Sequence, residues 1–122
     1  MSKPIVFVDM DGVLCNFING VIRLCDLECH HDDIFAFNEI DKYFDSSLDM
    51  WTRIDQCGSD FWAFLDEYPW TNMLLKTIDD SGLDWYLLTS PARDASCYSG
   101  KREWVIKKFG MTFTDMVVTR RS

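Results

Sequence analysis

Short apolar runs that end in polar residues dominate the pattern of hydrophobic and polar positions along this chain. Residues 5–8 form a continuous apolar run rich in β-branched side chains, which is typical of a strand buried on both faces. Residues 85–88 form a second apolar run, and the apolar residues 116–118, followed by Thr119, form a third and shorter one. We therefore predict three strands, each followed by a polar loop.

Apolar residues at helical spacing lie between the predicted strands. Helices are predicted over residues 15–25, 74–81 and 100–109. Gly82 and Gly110 follow the last two helices and are expected to end them. From about residue 30 to residue 69 the chain is acidic and aromatic without strand alternation, which predicts an insert of short helices.

Strands that alternate with helices predict an α/β fold built on a parallel sheet. Functional sites in such sheets lie at the carboxyl ends of the strands. Polar residues occupy all of these predicted ends, namely Asp9 with Asp11, Thr89 with Ser90, and Thr119 with Arg120. We expect these residues to meet at one edge of the sheet.

Composition limits the partners and the compartment. The chain of 122 residues suits one domain, and its net charge of -8 disfavours binding to nucleic acid. No segment reaches transmembrane length, so we expect no membrane association and a cytoplasmic location. The cysteines are odd in number and uneven in spacing, which predicts reduced thiols rather than a disulfide framework.

The main chemical signal is the segment Asp9-Met10-Asp11-Gly12, directly after the first predicted strand. Two carboxylates two residues apart can reach one point above the sheet, where one attacks phosphorus and the other transfers protons. Carboxylate oxygens also suit a hard cation such as Mg²⁺. Taken alone, the segment is equally compatible with a hairpin turn, because Asp-Gly between apolar runs is a common turn signal.

Thr89, Ser90 and Lys101 add groups that suit a phosphate. A hydroxyl and backbone amides at a strand end bind phosphate oxygens, and a lysine at the start of a helix adds its charge. Each signal has a simpler interpretation by itself, with Thr89-Ser90 as a cap and Lys101 as a solvated surface lysine. Combined with the two aspartates, their order along the chain favours a phosphate site.

In this order the motifs resemble those of the haloacid dehalogenase (HAD) superfamily. Residues 6–14 match its first motif, residues 87–90 its second, and Lys101 its third, the phosphate-binding lysine. Other segments resemble the 5'(3')-deoxyribonucleotidase branch, namely Phe17 and residues 100–105, 108–110 and 117–120. Phe61-Trp62 with Pro69-Trp70 resembles the cap exit of related phage and bacterial sequences. The resemblance covers most of the chain and is weak between Cys25 and Cys57.

The resemblance implies a Rossmann-like HAD core whose parallel sheet has three strands here, with a small helical cap inserted after the first strand. Residues 1–122 would form a single domain, with the core in residues 1–14 and 72–122 and the cap in about 15–71. The implied activity is Mg²⁺-dependent hydrolysis of phosphomonoesters through an aspartyl-phosphate. The chain would act as a 5'-nucleotidase on (deoxy)nucleoside monophosphates.

The resemblance also implies the site roles. Asp9 would be the nucleophile and Asp11 the general acid and base, and Mg²⁺ would bind Asp9 and the backbone carbonyl of Asp11. The phosphoryl oxygens would be bound by Thr89, Ser90 and Lys101. The rest of the substrate would be contacted by Phe17, Trp62 and Arg120. The implied partner is a small phosphomonoester, most simply a nucleotide.

One departure concerns the superfamily's fourth motif, an acidic pair after a further strand that completes the metal site. The chain reads Thr119-Arg120-Arg121-Ser122 where that segment would begin, so the sequence looks truncated before the motif. Asp115 precedes the third predicted strand and lies at the wrong end to substitute. We therefore expect weak Mg²⁺ binding, feeble activity, and an open sheet edge at residues 5–8 that promotes self-association.

Two alternatives stay open at this point. A non-catalytic or fragmentary relative would bind a phosphorylated ligand or a partner without turnover, and the missing fourth motif favours it. A zinc module would use Cys25, Cys29, His30 and His31, although ligands this crowded rarely reach one tetrahedral ion.

Overall fold

The computed structural model describes residues 4–27, 43–44, 47–92 and 94–119, which adopt an α/β architecture. The elements in chain order are β1 (Ile5–Asp9), α1 (Phe17–Cys25), α2 (Ser47–Cys57), α3 (Ser59–Ala63), α4 (Thr71–Asp80), β2 (Asp84–Thr89), α5 (Ala95–Phe109) and β3 (Met116–Val118). The strands form one parallel sheet in the order β1-β2-β3. The predicted fold class is confirmed.

The register of the sheet brings the carboxyl ends of the strands to one edge. Val8 pairs with Leu87, and Asp9, the last residue of β1, pairs with Leu88. Thr89, the last residue of β2, pairs with Val118 of β3. The parallel pairing of β1 with β2 excludes a hairpin after β1, because a hairpin joins antiparallel strands.

The prediction that β1 is buried on both faces is wrong. Val8 and Leu87 point into the core, whereas Ile5 and Phe7 on the opposite face are 53% and 54% exposed. Helices α4 and α5 pack on the same face, since their buried side chains belong to the cluster that contains Val8 and Leu87. The chain advances in one direction from β1 to β3, which places both connecting helices on one side of the sheet.

Helices α1, α2 and α3 lie in the insert between β1 and α4, and their buried residues belong to the common core. Phe17 of α1 and Trp62 of α3 share one cluster with Trp104 of α5. Helix α3 packs directly on α5 at Gly100, where a Cβ would overlap the Ser59 carbonyl oxygen and the Trp62 Cβ. The division into core and cap at the residues inferred from the resemblance stays a prediction.

Helix α5 begins at Ala95, five residues before the predicted start. Asp94 caps it, because its side chain accepts a hydrogen bond of 2.9 Å from the backbone N–H of Ser96. Lys101 therefore lies in the second turn, and the prediction that it stands at a helix N-terminus is wrong. Gly110, with a φ of +97°, ends the helix as predicted.

The other predicted elements appear with shifted ends. Helix α1 starts at Phe17 rather than at residue 15, because the Asn16 side chain caps it by accepting from the Asn19 backbone N–H. Helix α4 begins at Thr71, three residues before the predicted start, and ends at Asp80, one residue before the predicted end and shortly before Gly82. In the part of the chain that the structure describes, no helix is long and apolar enough to cross a membrane.

The cysteines Cys15, Cys25, Cys57 and Cys97 carry free thiols, which agrees with the prediction of reduced cysteines for these four. Three members of the possible zinc module, Cys29, His30 and His31, lie outside the described residues. The structure therefore leaves the zinc alternative as a prediction.

Candidate active site

Three segments meet at the carboxyl edge of the sheet around the Lys101 side chain. Lys101 of α5 donates hydrogen bonds from Nζ to Asp11 Oδ2 at 2.6 Å and to Thr89 Oγ1 at 2.5 Å. Asp11 follows β1 by two residues, and Thr89 ends β2. Asp9, Asp11, Thr89 and Lys101 are thus brought together as the order of the motifs predicts.

Lys101 is buried, with 2% of its surface exposed. A buried ammonium is costly unless it is paired, and here the Asp11 carboxylate and the Thr89 hydroxyl satisfy it. The Trp62 ring lies beneath it, with Nζ 5.2 Å from the ring centroid. The simpler interpretation of Lys101 as a solvated surface lysine is therefore wrong.

Asp11 is a largely buried acid whose pKa lies above that of an ordinary aspartate. Burial raises the pKa of the Asp11 carboxyl, the Lys101 ammonium lowers it, and the nearby Asp9 charge raises it again, with a net upward direction. Its Oδ1 atom is buried and has no hydrogen-bond partner among the described residues. A carboxyl with a raised pKa and an unpartnered oxygen suits proton transfer or the binding of a further group.

Asp9 is exposed at the tip of β1. Its Oδ1 atom accepts a hydrogen bond of 2.8 Å from the Met10 backbone N–H, which fixes the carboxylate orientation. The following loop turns tightly around the Met10 carbonyl, which accepts from the backbone N–H groups of Val13, Leu14 and Cys15. Gly12 adopts a φ of +82° in this turn, a conformation that glycine reaches without strain.

Ser90 and Thr119 lie at the same edge of the sheet, whereas the position of Arg120 is not described. Ser90 is exposed directly after the buried Thr89, so its hydroxyl can reach a ligand at the strand end. Thr119 joins this edge, because its backbone N–H donates to the Thr89 carbonyl at 3.0 Å. Arg120 lies outside the described residues, and its predicted contact with substrate stays a prediction.

Phe17 and Trp62 are brought near the site as buried residues. Their rings stack on each other with centroids 5.7 Å apart, and Trp51 and Phe61 pack against both of them. Phe17 is 4% exposed. In this arrangement neither ring offers a face to a base, and packing of the core accounts for both positions. The predicted stacking of a base on Phe17 would require this cluster to open.

The half-buried Tyr68 and the exposed Trp70 form an aromatic pair that was given no role in the site from the sequence. Their rings are stacked with centroids 4.3 Å apart, and the Trp70 indole N–H donates to the Val13 carbonyl at 2.8 Å. The Tyr68 backbone N–H donates to the Leu14 carbonyl at 3.2 Å, which places this residue beside the loop that carries Asp11. Burial raises the pKa of the Tyr68 phenol, and the nearby Cys15 and Asp11 raise it further. A sequence signal was present, since two aromatic residues flank a proline at the end of the insert.

Asp9 and Asp11 are the carboxylates at this edge that suit a metal ion. No cluster of three or more histidine, cysteine, aspartate or glutamate ligands occurs within the described ranges. Mg²⁺ is commonly held by one or two carboxylates, with water and substrate phosphate completing its shell. The unpartnered Asp11 Oδ1 and the exposed Asp9 carboxylate fit such an ion. Asp115 directly precedes β3 and so lies at the opposite end of the sheet, as expected.

Comparisons with known proteins support the fold. No protein-family model matches the chain, and no curated protein matches it in sequence. Among solved structures the chain is similar to a hydrolase from Streptococcus pneumoniae TIGR4, with a TM-score of 0.55 and 15% sequence identity. The similarity covers 97% of this chain and 67% of that chain. The likeness at this identity concerns the Rossmann-like α/β fold.

Proposed function

We propose that this chain is a phosphomonoester hydrolase that works through an aspartyl-phosphate on Asp9. The observation that carries the proposal is the position of Lys101 Nζ, which lies between Asp11 Oδ2 and Thr89 Oγ1 at the end of the strands where Asp9 is exposed. Nucleophile, proton donor and phosphate-binding cation then occupy one edge. The similarity of the fold to that of a hydrolase agrees with this proposal.

The first chemical step transfers the phosphoryl group to the protein. Asp9 Oδ2 attacks phosphorus, because Oδ1 is engaged by the Met10 backbone N–H. The bond between phosphorus and the ester oxygen breaks, and protonated Asp11 gives its proton to the leaving oxygen. The raised pKa of Asp11, caused mainly by burial, favours the protonated acid that this step needs.

The second step releases phosphate. Ionised Asp11 takes a proton from water, the water oxygen attacks phosphorus, and the bond to Asp9 breaks with return of its carboxylate. Lys101 and Thr89 neutralise and orient the phosphoryl oxygens in both steps, with Ser90 beside them. Lys101 must share its hydrogen bonds with the phosphoryl group, which weakens its hold on Asp11 and favours protonation of that acid.

Mg²⁺ is the cofactor that this donor set fits, with Asp9 and Asp11 as its protein ligands. When bound, it would offset the negative charge that the Asp9 carboxylate and a phosphate bring together. The residues themselves bind and orient the ester, and Asp11 moves the proton.

Within this function we propose nucleoside monophosphates as the substrate class, as in a 5'-nucleotidase. The motifs that resemble the deoxyribonucleotidase branch support this choice, and the net charge of -8 disfavours polymeric phosphodiesters. The buried positions of Phe17 and Trp62 move the expected contact with the base away from these two rings.

A phosphate-release assay with Mg²⁺ tests the proposal. The substrates are nucleoside 5'-monophosphates, phenyl phosphate and glycerol phosphate, and the reference variant is Asp9→Asn, which keeps the side-chain volume. We expect turnover that disappears in Asp9→Asn and a phosphoryl group that can be trapped on the wild-type chain alone. Turnover retained in Asp9→Asn would refute the assignment. Ligand binding without any turnover would favour the non-catalytic alternative.

A further inference from the structure

The segment after α3 presents a fixed aromatic surface beside the loop that carries the candidate acid. We call the stacked rings of Tyr68 and Trp70 the aromatic ledge. Trp70 is 49% exposed even though its ring is held in place at one edge. An exposed tryptophan with a fixed orientation is a ready stacking surface, because little side-chain entropy remains to be lost when a ligand binds.

The ledge is tied to the site loop by three contacts. The Trp70 indole N–H donates to the Val13 carbonyl, and the Tyr68 backbone N–H and the Thr71 hydroxyl both donate to the Leu14 carbonyl. Val13 is two residues from Asp11, a separation of at most about 7–8 Å between Cα atoms. A ring joined to a phosphate through a sugar or a short linker can therefore reach the ledge.

The opposite side of the same segment is tied to the core. Lys108 of α5 forms an ion pair of 2.7 Å with Glu67 and a hydrogen bond with the Asn72 side chain. The segment is thus held by α5 and by the site loop at once. Such double anchoring favours a preformed surface over a mobile lid.

Resting on the proposed hydrolase activity, we infer that the aromatic ledge binds the planar ring of the substrate. The ligand class is a phosphomonoester whose organic part carries an aromatic ring, such as a nucleobase. The rings that the sequence suggested for this role, Phe17 and Trp62, have their faces covered by each other and by neighbouring rings. Trp70 is the exposed ring beside the site loop and supplies the missing platform.

Steady-state kinetics of Trp70→Ala test the inference with a ring ester and a ring-free ester. Adenosine 5'-monophosphate and glycerol 3-phosphate share the phosphate and differ in the ring. We expect the KM for adenosine 5'-monophosphate to rise about tenfold more than the KM for glycerol 3-phosphate. Met73→Ala removes another exposed apolar side chain from α4 and should leave both values unchanged. Equal changes for both esters in Trp70→Ala would overturn the inference.

Two further Trp70 variants and a binding measurement test whether the ring itself is what the substrate contacts. Trp70→Phe loses the hydrogen bond to Val13 but keeps a ring, so it should retain most of the preference for the ring ester, whereas Trp70→Leu should lose it. If no ester is turned over, the proposed function fails. Binding of adenosine 5'-monophosphate, measured by calorimetry, then tests the ledge independently of catalysis. Wild-type protein should bind adenosine 5'-monophosphate about tenfold more tightly than Trp70→Leu does, and equal affinities would refute the ledge.

Discussion

The carboxylate of Asp11 and the ammonium of Lys101 lie 2.6 Å apart although 90 residues separate them in sequence. This ion pair joins the loop after β1 to the second turn of α5, and both groups are largely withdrawn from water. The same contact therefore has two consequences. It contributes to the packing of α5 against the sheet, and it sets the protonation of the group that we propose as the acid.

Lys101→Met should destabilise the fold, and the loss should depend on pH. Removal of one partner from a buried ion pair costs on the order of 3 kcal/mol at neutral pH. The folded pKa of Asp11 is raised above that of an ordinary aspartate. The group therefore contributes its full stabilisation of the fold below about pH 4, and this contribution is lost as pH rises through the folded pKa. Lys101 lowers this pKa, so the loss in free energy of unfolding that Lys101→Met causes should grow as pH increases above about 4.

Chemical unfolding of both proteins at a series of pH values from about 4 to 8, which starts near the pKa of an ordinary aspartate, measures this difference. Lys76→Met is the matched control, since Lys76 forms an exposed pair with Asp80 on α4. Exposed pairs of this kind contribute about 0.5 kcal/mol or less. A loss in Lys101→Met that is small, or that does not grow with pH, would contradict the buried pairing.

Asp11→Asn should lower turnover by a factor on the order of 10²–10⁴, because an amide cannot give up the proton that the leaving oxygen requires. In the wild-type protein the first step needs protonated Asp11, so its rate should fall as pH rises through the Asp11 pKa. The raised pKa moves this fall above the range of an ordinary aspartate. Rate profiles against pH for the wild type and for Asp11→Asn, in which the basic limb should vanish, check the assignment.

A leaving group that needs no proton makes this test specific. With p-nitrophenyl phosphate the Asp11→Asn defect in the first step should shrink, while the defect with an alkyl phosphate should remain. Asp80→Asn is the control for loss of a carboxylate, because Asp80 is exposed and ends α4, before the start of β2 at the end of the strand opposite to the site. An equal defect with both esters would indicate a structural role for Asp11.

Trp62 and Trp104 provide a comparison of two buried indoles. The Trp104 N–H donates to the Leu65 carbonyl at 2.9 Å, whereas the Trp62 N–H has no partner among the described residues. Trp104→Phe should therefore cost about 1 kcal/mol more than Trp62→Phe, because it leaves a buried carbonyl unpaired. Thermal and chemical unfolding of the two variants measures the difference. Equal losses would show that the Trp62 N–H does have an acceptor, such as a bound water.

The sequence was most informative where each chemical residue follows a local signal. Asp9 and Thr89 end apolar runs, and parallel strands carry such ends to one edge, so their meeting could be predicted without knowledge of any distance. Lys101 was placed in the site by its order along the chain and by the resemblance of its motif. Its burial and its two partners could not be predicted, because they depend on how α5 packs against the sheet.

Long-range packing explains the sequence predictions that failed or missed a residue. Phe17 is covered by Trp51, which lies 34 positions later, and helical spacing carries no information about such neighbours. The run at residues 5–8 is apolar on both faces, so its pattern could not show which face of the strand would remain exposed to solvent. The early start of α5 could have been predicted from the sequence, because an aspartate before a helical stretch, here Asp94, is a common N-cap.

The exposed side of β1 leads to a prediction about association. Within the described ranges β1 pairs with β2 alone, so its other edge presents unpaired backbone groups. Ile5 and Phe7 add an apolar surface next to that edge, and the strand carries no proline or charge before Asp9. Strand edges of this kind recruit other strands. A second copy of β1 is a natural partner, because two identical edges can pair about a twofold axis.

Phe7→Lys should weaken this association, since a charge beside an open edge opposes strand addition. We expect the concentration for half-dissociation, measured by light scattering or sedimentation, to rise about tenfold or more, which corresponds to at least 1.4 kcal/mol. Val117→Lys is the control, because Val117 is also partly exposed but lies on β3, the strand at the opposite edge of the sheet. If the wild-type chain stayed monomeric at high concentration, the edge would not be an interface. If Val117→Lys dissociated the assembly as strongly as Phe7→Lys, the contact would involve the whole sheet face, because both substitutions would then remove apolar area from one common surface.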